Sequence, residues 1–225
     1  MALILGIETS TKNCSVALFS GDKLISERSL LSEKYSHSET LTIFIQGLFN
    51  DTDYFLSELD AISVSIGPGS YTGLRIGVST AKGLCYALNI PLISVLTLQS
   101  MSQSISDEDP SFDLYCPMID ARRMEVYSAF YDNKNNEVRK IQADIIDAST
   151  FSHLLDKKIV FFGDGSEKCK EIIKSEKAVF LNDVYPSAKN LMKISHRKFK
   201  ESNFEDIAYF EPFYLKDFIA RVKKI

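Results

Sequence analysis

The order of elements in this chain is written twice. Leu3 to Ile7 is a short apolar run, Cys14 to Ser20 alternates around Val16 and Leu18, and a Gly21-Asp22 turn leads into Lys23 to Leu30. Three short strands, the last two joined by a tight turn, predict an antiparallel meander. A helix follows over 37–49, with Leu41, Ile45 and Leu48 at helical spacing and Ser36 or Ser38 as its cap. A strand over 61–66, a helix over 73–88 and a strand over 91–95 complete the first half. The second half has strands over 114–119, 124–131 and 138–143, then a strand over 158–162 that opens onto Gly163-Asp164-Gly165. A helix to about Lys174, a strand over 178–181 and a helix over 187–200 follow. A meander followed by alternating helix and strand, twice over, predicts an α/β protein of two similar lobes.

The polar stretch Gln103 to Asp113 reads as the linker, which gives lobes at 1–102 and 113–205, with 206–225 packing back on the first. At 45% hydrophobic residues over 225 positions the chain is too apolar for disorder and can fill both cores. A net charge of -4 lacks the footprint of an autonomous nucleic-acid binder. The run Ala2 to Ile7 stops at Glu8, far short of the ~20 residues of a membrane span, and no basic flank precedes it. The expectation is a cytoplasmic protein with no membrane partner. Cys14, Cys85, Cys116 and Cys169 show no C-x-x-C spacing and read as reduced, buried thiols.

The most specific string runs Gly67-Pro68-Gly69-Ser70-Tyr71-Thr72-Gly73-Leu74-Arg75-Ile76-Gly77. It is neither a Walker A loop nor a dinucleotide fingerprint, yet it is a glycine turn between a strand and a helix whose first amides could meet an anion. Ser70 or Thr72 would cap that helix. Glu8, Thr9 and Ser10, directly after the first strand, could approach a nucleotide phosphate, so Glu8, Thr9, Ser10, Gly67, Gly69 and Ser70 form a candidate anion loop. A tight structural turn explains the same residues. Beyond the loop, Gly73, Gly77, Ala81 and Cys85 recur every fourth residue, a ridge of small side chains along one helix face. Such a ridge packs either on the protein's own sheet or on a second subunit, and with His37 and Leu41 it makes a candidate partner interface.

Only His37, His153 and His196 are available for imidazole chemistry, and a metal pair at helical spacing from His37 would need a ligand where Leu41 stands. No nucleophile elbow appears, so no peptidase constellation can be assembled. Asp120, Arg122 and Arg123 sit at a strand-to-strand turn and read as a surface ion pair. Lys189, Lys193 and Arg197 share a helical face with Lys198 and Lys200 nearby, which is a solvated face or a contact for RNA phosphate.

Taken together, Leu5 to Thr11 with Cys14 to Leu18, His37-Ser38-Glu39, the Gly67 to Gly77 string with Lys82-Gly83-Leu84, Pro91-Leu92, Ile119 to Arg123 and Tyr214-Leu215-Lys216 closely resemble the bacterial TsaB (YeaZ) family across nearly the whole chain. The resemblance implies an actin-like, RNase H-related fold of two lobes. It also implies a part in making threonylcarbamoyladenosine at position 37 of tRNAs that read codons beginning with A. In that family the chemistry belongs to a paralogous subunit, TsaD, which holds a metal through a His-x-x-x-His pair, and the ATPase TsaE joins the two. A chain of this kind is then a non-catalytic scaffold that reaches tRNA through the complex, with no cofactor of its own, ATP or ADP and a metal on the partner subunits, and a homodimer left open. Glu8 stands where TsaB-like chains often carry Asp, which keeps a second reading in view: an independent ATPase or phosphotransferase of the same superfold.

Overall fold

The computed structural model describes residues 1–32 and 37–216. It contains two five-stranded sheets of the same topology. In the first, β1 (Leu3–Glu8), β2 (Asn13–Ser20) and β3 (Lys23–Leu31) form the antiparallel meander, and β4 (Ala61–Ser65) and β5 (Leu92–Val95) add in parallel on the far side of β1, giving the order β3-β2-β1-β4-β5. In the second, β6 (Leu114–Asp120), β7 (Glu125–Tyr131) and β8 (Glu137–Ile145) form the meander, and β9 (Ile159–Phe162) and β10 (Ala178–Phe180) add in parallel on the far side of β6. This duplicated layout is the actin-like two-lobed fold. Gly21 closes the β2–β3 hairpin at a φ of 58°, a conformation open to glycine at little steric cost.

Both sheets are covered on both faces, which explains why their central strands are apolar without alternation. Along β1, Leu3, Leu5 and Ile7 face one way, into a core with Leu41, Ile45 and Leu48 of α1 (His37–Asn50) and Val78, Ala81 and Cys85 of α2 (Tyr71–Leu88). Ile4 faces the other way, with Phe19, Ala61, Ile93 and Val95, and that face is covered by Ala188, Leu191 and Ile194. The last of these belongs to α4 (Met192–Lys200), which a 3-10 turn over Ala188–Leu191 introduces. The second sheet packs Phe130, Phe151 and Phe161 on one face, and on the other meets Leu98, Met101 and Ile105 of α3 (Thr97–Glu108).

Two expectations are corrected here. The stretch from Gln103 is no linker but the second half of α3, whose Ser100, Ser104 and Ser106 hydroxyls donate to carbonyls three residues back and so are satisfied within the helix that packs on the second lobe. Residues 163–174 hold only a 3-10 turn at Glu167–Cys169, because its hydrogen bonds run to the third preceding carbonyl, as from Cys169 N to Ser166 O and from Lys170 N to Glu167 O. The lobe boundaries shift accordingly. The segment 97–108 packs on the second sheet and 188–200 on the first, so neither lobe is one continuous piece of chain.

Residues 205–216 run along the first lobe. Glu205 bridges to Leu92, Ile207 and Phe210 pack on the α1–α2 core, and Phe213 N donates to Ile66 O at 2.8 Å. Residues 217–225, the rest of the segment expected to pack back on the first lobe, lie outside the described residues, as does Ser36. Among the described residues no helix is long and apolar enough to cross a membrane, and all four cysteines are free and buried.

Candidate functional site

The carboxyl ends of β1, β4, β6 and β9 point toward one cleft between the lobes, where open α/β sheets ordinarily receive ligands. One hollow of about 380 Å³ is walled by the first lobe's Ser10, Thr11 and Ser70–Thr72, by Asp120, Arg122, Tyr127 and Asp164 of the second, and by Phe213–Lys216. A second, of about 500 Å³, shares Asp120 and Asp164 with it and adds Lys12 and Asp183. Asp164 Oδ1 accepts from Asp120 N at 3.0 Å, and burial raises the Asp164 carboxyl above the usual carboxylate range. The Asp120 carboxylate pairs with Lys168.

The candidate anion loop divides in two. Ser10, Gly69 and Ser70 reach the cleft wall, whereas Glu8 and Thr9 are wholly buried and Gly67, at φ 116°, is pressed against Phe213 O. Three of the loop's amides are already engaged: Ser70 N donates to Ser10 O at 2.6 Å, Gly67 N to Thr97 Oγ1 at 3.2 Å, and Gly73 N to the capping Ser70 Oγ at 3.3 Å. Glu8 Oε1 accepts from Ser10 N at 2.7 Å, while Oε2 meets no donor in hydrogen-bond geometry. Burial raises the Glu8 carboxyl, against the opposing pull of the Ser10 and Ser65 groups beside it.

The candidate interface ridge points inward. His37, Leu41, Gly73, Gly77, Ala81 and Cys85 are all buried in this chain's own first lobe and present no surface to a partner. A Cβ on Gly73 or Gly77 would overlap Thr9, whose Oγ1 donates to Gly73 O at 2.8 Å, so the small side chains let α2 lie against the turn after β1. His37 Nε2 lies 2.7 Å from Thr11 O, and burial lowers its pKa, so the neutral ring donates to that carbonyl and ties α1 to the same turn.

The outer faces of these helices carry what the sequence reading missed. Between α1 and α2 lies an apolar groove of about 340 Å³ lined by Ile45, Phe49, Leu56, Thr80 and Leu84. Ile43, Phe55 and Tyr86 stand exposed in the same part of the fold, at 62%, 71% and 84% of their full surface. Gly83, in mid-helix, has nothing within 4 Å of where a Cβ would be. An interior helix glycine costs about 1 kcal/mol relative to alanine, and nothing inside the lobe requires this one. It was the signal in the sequence that could have found the groove.

At the β6–β7 turn Arg122 and Arg123 both adopt left-handed backbone, at φ 70° and 48°. Asn-Gly suits such a pair of positions, and for arginines each costs about 1 kcal/mol. Neither arginine has an ion-pair partner among the described residues, and it is Lys168, not an arginine, that pairs with Asp120. The basic face of 189–200 is largely engaged within the protein. Lys189 pairs with Glu27 at 3.5 Å, Lys193 with Asp107 at 2.7 Å, and Lys198 Nζ donates to Ser94 O. Among the described residues no three His, Cys, Asp or Glu side chains converge to hold a metal.

The family model described as tRNA N6-adenosine threonylcarbamoyltransferase, TsaD, matches residues 31–224. The tRNA threonylcarbamoyladenosine biosynthesis protein TsaB of Bacillus subtilis is 33% identical over 175 residues, 76% of this chain and 75% of that protein. The protein of the same name from Escherichia coli is 28% identical over 225 residues, 96% of each chain. Among solved structures, YeaZ from Pseudomonas aeruginosa superposes with a TM-score of 0.81 at 24% identity, covering 96% of this chain and all of that one, which shows the shared fold. On the extent of these matches the chain belongs to the TsaB (YeaZ) family of tRNA threonylcarbamoyladenosine biosynthesis proteins, within the wider group that the transferase model describes.

Proposed function

We propose that this chain is a non-catalytic scaffold for threonylcarbamoyl transfer to tRNA and that it acts by docking a TsaD-like catalytic paralogue on the α1–α2 groove. The observation that carries the reading is the groove itself: apolar lining, exposed Ile43 and Tyr86 in the same region, and a bare Gly83 where a partner helix can come close. Apolar surface of this kind, rimmed by Thr42, Gln46 and Asn50, is what a protein interface presents before it is covered. A TsaE-like ATPase completes the assembly, and ATP and the metal act on those partners. The independent ATPase reading gains no support from the glycine loop, whose Gly67, Ser70 and Gly73 amides are committed to Thr97, Ser10 and the helix cap.

Reconstitution tests this. With TsaD-like and TsaE-like partners, tRNA, ATP and threonylcarbamoyl-adenylate, modified adenosine is expected only when this chain is present. Gly83→Leu is expected to weaken assembly with the transferase at least about tenfold, roughly 1.4 kcal/mol, while leaving the fold at least as stable as before, because a Cβ at this position has no atom within 4 Å. Unimpaired assembly by this variant in sedimentation or calorimetry would overturn the placement. Modification that proceeds equally without the chain would overturn the function.

A further inference from the structure

We propose that the 380 Å³ hollow between the lobes receives an unpaired nucleotide of a single-stranded RNA loop, its base against Tyr127 and Tyr214 and its phosphodiesters against Arg122 and Arg123. This rests on the tRNA role argued above and adds to it a direct contact by this chain. Charge is distributed unusually around the hollow. Its recessed wall carries Asp164, and its exposed edge carries Arg122 together with two charges already paired, Asp120 with Lys168 and Lys216 with Glu125, and Arg123 next in the same turn. A free nucleoside polyphosphate would set its charge against that carboxylate and would find the amides of Gly67, Ser70 and Gly73 already bonded. A base inserted from a strand does the opposite. It brings only neutral ring and ribose to the recess, where Asp164 can accept from an exocyclic amine or a 2′-hydroxyl, and leaves its phosphates outside beside the arginines.

The remaining features fit the same ligand. Aromatic side chains beside basic ones are the combination that stacks bases while tracking a backbone, and it tolerates sequence. Tyr71 and Tyr214 pack with ring centroids 4.7 Å apart, tilted by 34°, and Arg75 Nε donates to Tyr214 OH at 3.2 Å, so Tyr214 is held in place on this wall. Volume is adequate, since ligand hollows commonly span 300–1,000 Å³. The two left-handed arginines supply the independent observation. The turn holds them in a backbone that another pair would adopt more readily, and both guanidinium groups lack an ion-pair partner among the described residues. Strained residues at a cleft edge are where function is to be looked for.

The test replaces the arginines by the pair that the turn prefers. Arg122→Asn with Arg123→Gly relieves the backbone and removes both charges, so the variant should melt at a higher temperature yet bind RNA more weakly. A fluorescent stem-loop RNA with an unpaired loop is titrated by anisotropy against the full chain, alone and in its complex with the transferase partner. Binding is expected to fall at least about tenfold in the double variant and in Tyr214→Ala. The slope of log affinity against log salt should become shallower by about 1.4 in the double variant, roughly 0.7 for each lost phosphate contact. Equal affinity of variant and parent overturns the inference, as do undetectable binding by the parent, equally tight binding of a blunt RNA duplex, or displacement of the RNA by ADP. Assembly with the transferase, followed separately by size-exclusion chromatography, is expected to be unchanged. Loss of RNA binding with assembly intact therefore bears on this site alone, whereas failure of the parent chain to assemble bears on the scaffold reading.

Discussion

Gly73→Val is expected to unfold this protein in part or altogether, at a cost of about 3 kcal/mol or more. The residue lies in the first turn of α2, and any Cβ there would overlap the carbonyl oxygen of Thr9. That oxygen is backbone and cannot swing aside. Thr9 is fully buried, its neighbour Ser10 is tied through its carbonyl to Ser70 N, and its own hydroxyl holds Gly73 O. Relief would require α2 to lift from the turn after β1, opening the core that Val78, Ala81 and Cys85 share with the sheet. Set against a total stability of 5–15 kcal/mol for ordinary domains, such a loss is severe. Urea denaturation would show it as a large fall in midpoint. Gly83→Ala, ten positions along the same helix and facing open space, is expected to raise the stability by roughly 0.5–1 kcal/mol, and the midpoint with it. A Gly73→Val protein with the parent's midpoint would refute the close approach of helix and turn.

Glu8→Gln is expected to stabilise the protein at neutral and alkaline pH by about 1–3 kcal/mol, the scale of leaving a buried polar group without its partner. Burial raises the carboxyl of Glu8 above its ordinary value of 4.5, so the folded state holds a proton that the unfolded state releases more readily. The sign follows. Glu8 favours folding fully below pH 4.5, and this contribution is lost as pH rises through the higher folded value. The parent should therefore lose stability relative to the glutamine variant as pH is raised from 4.5, and the two curves should converge in acid. Asp164, raised in the same direction by burial, contributes a parallel trend to both proteins and cancels in the difference. Chemical denaturation of both proteins between pH 5 and 8.5 (about the range where neither end denatures by itself) checks this. A difference independent of pH would show that Glu8 is ionised in the folded protein.

The strands were legible because sheets covered on both faces demand unbroken apolar runs, and Leu3 to Ile7 or Ile159 to Phe162 permit little else. Helix α3 was not, because four of its seven buried positions are Thr97, Ser100, Ser102 and Ser106, whose polarity argues for a loop until the backbone that satisfies hydroxyls such as Ser100 and Ser106 is in view. The ridge Gly73, Gly77, Ala81 and Cys85 was legible as a line of close approach, but glycine carries no side chain to say what approaches. Here it is Thr9 of the same chain. Leu41 and Ile45 marked the inner side of α1, while the groove beyond them needed the relative placement of two helices. The cleft joins Ser10, Tyr127, Asp164 and Tyr214, residues separated by most of the chain, and no local pattern links them.

The exchange of helices between the lobes bears on the order in which the protein can be made. One face of the first sheet, with Ile4, Phe19, Ala61, Ile93 and Val95, stays open until Ala188, Leu191 and Ile194 arrive, and these come after the whole of the second sheet. During vectorial synthesis the amino-terminal half therefore emerges from the ribosome with an apolar sheet face uncovered, through the time taken to add roughly a hundred residues, several seconds at 5–20 residues per second. A nascent chain stalled before residue 188 should be a client for a trigger-type chaperone, and release from it should coincide with the emergence of α4.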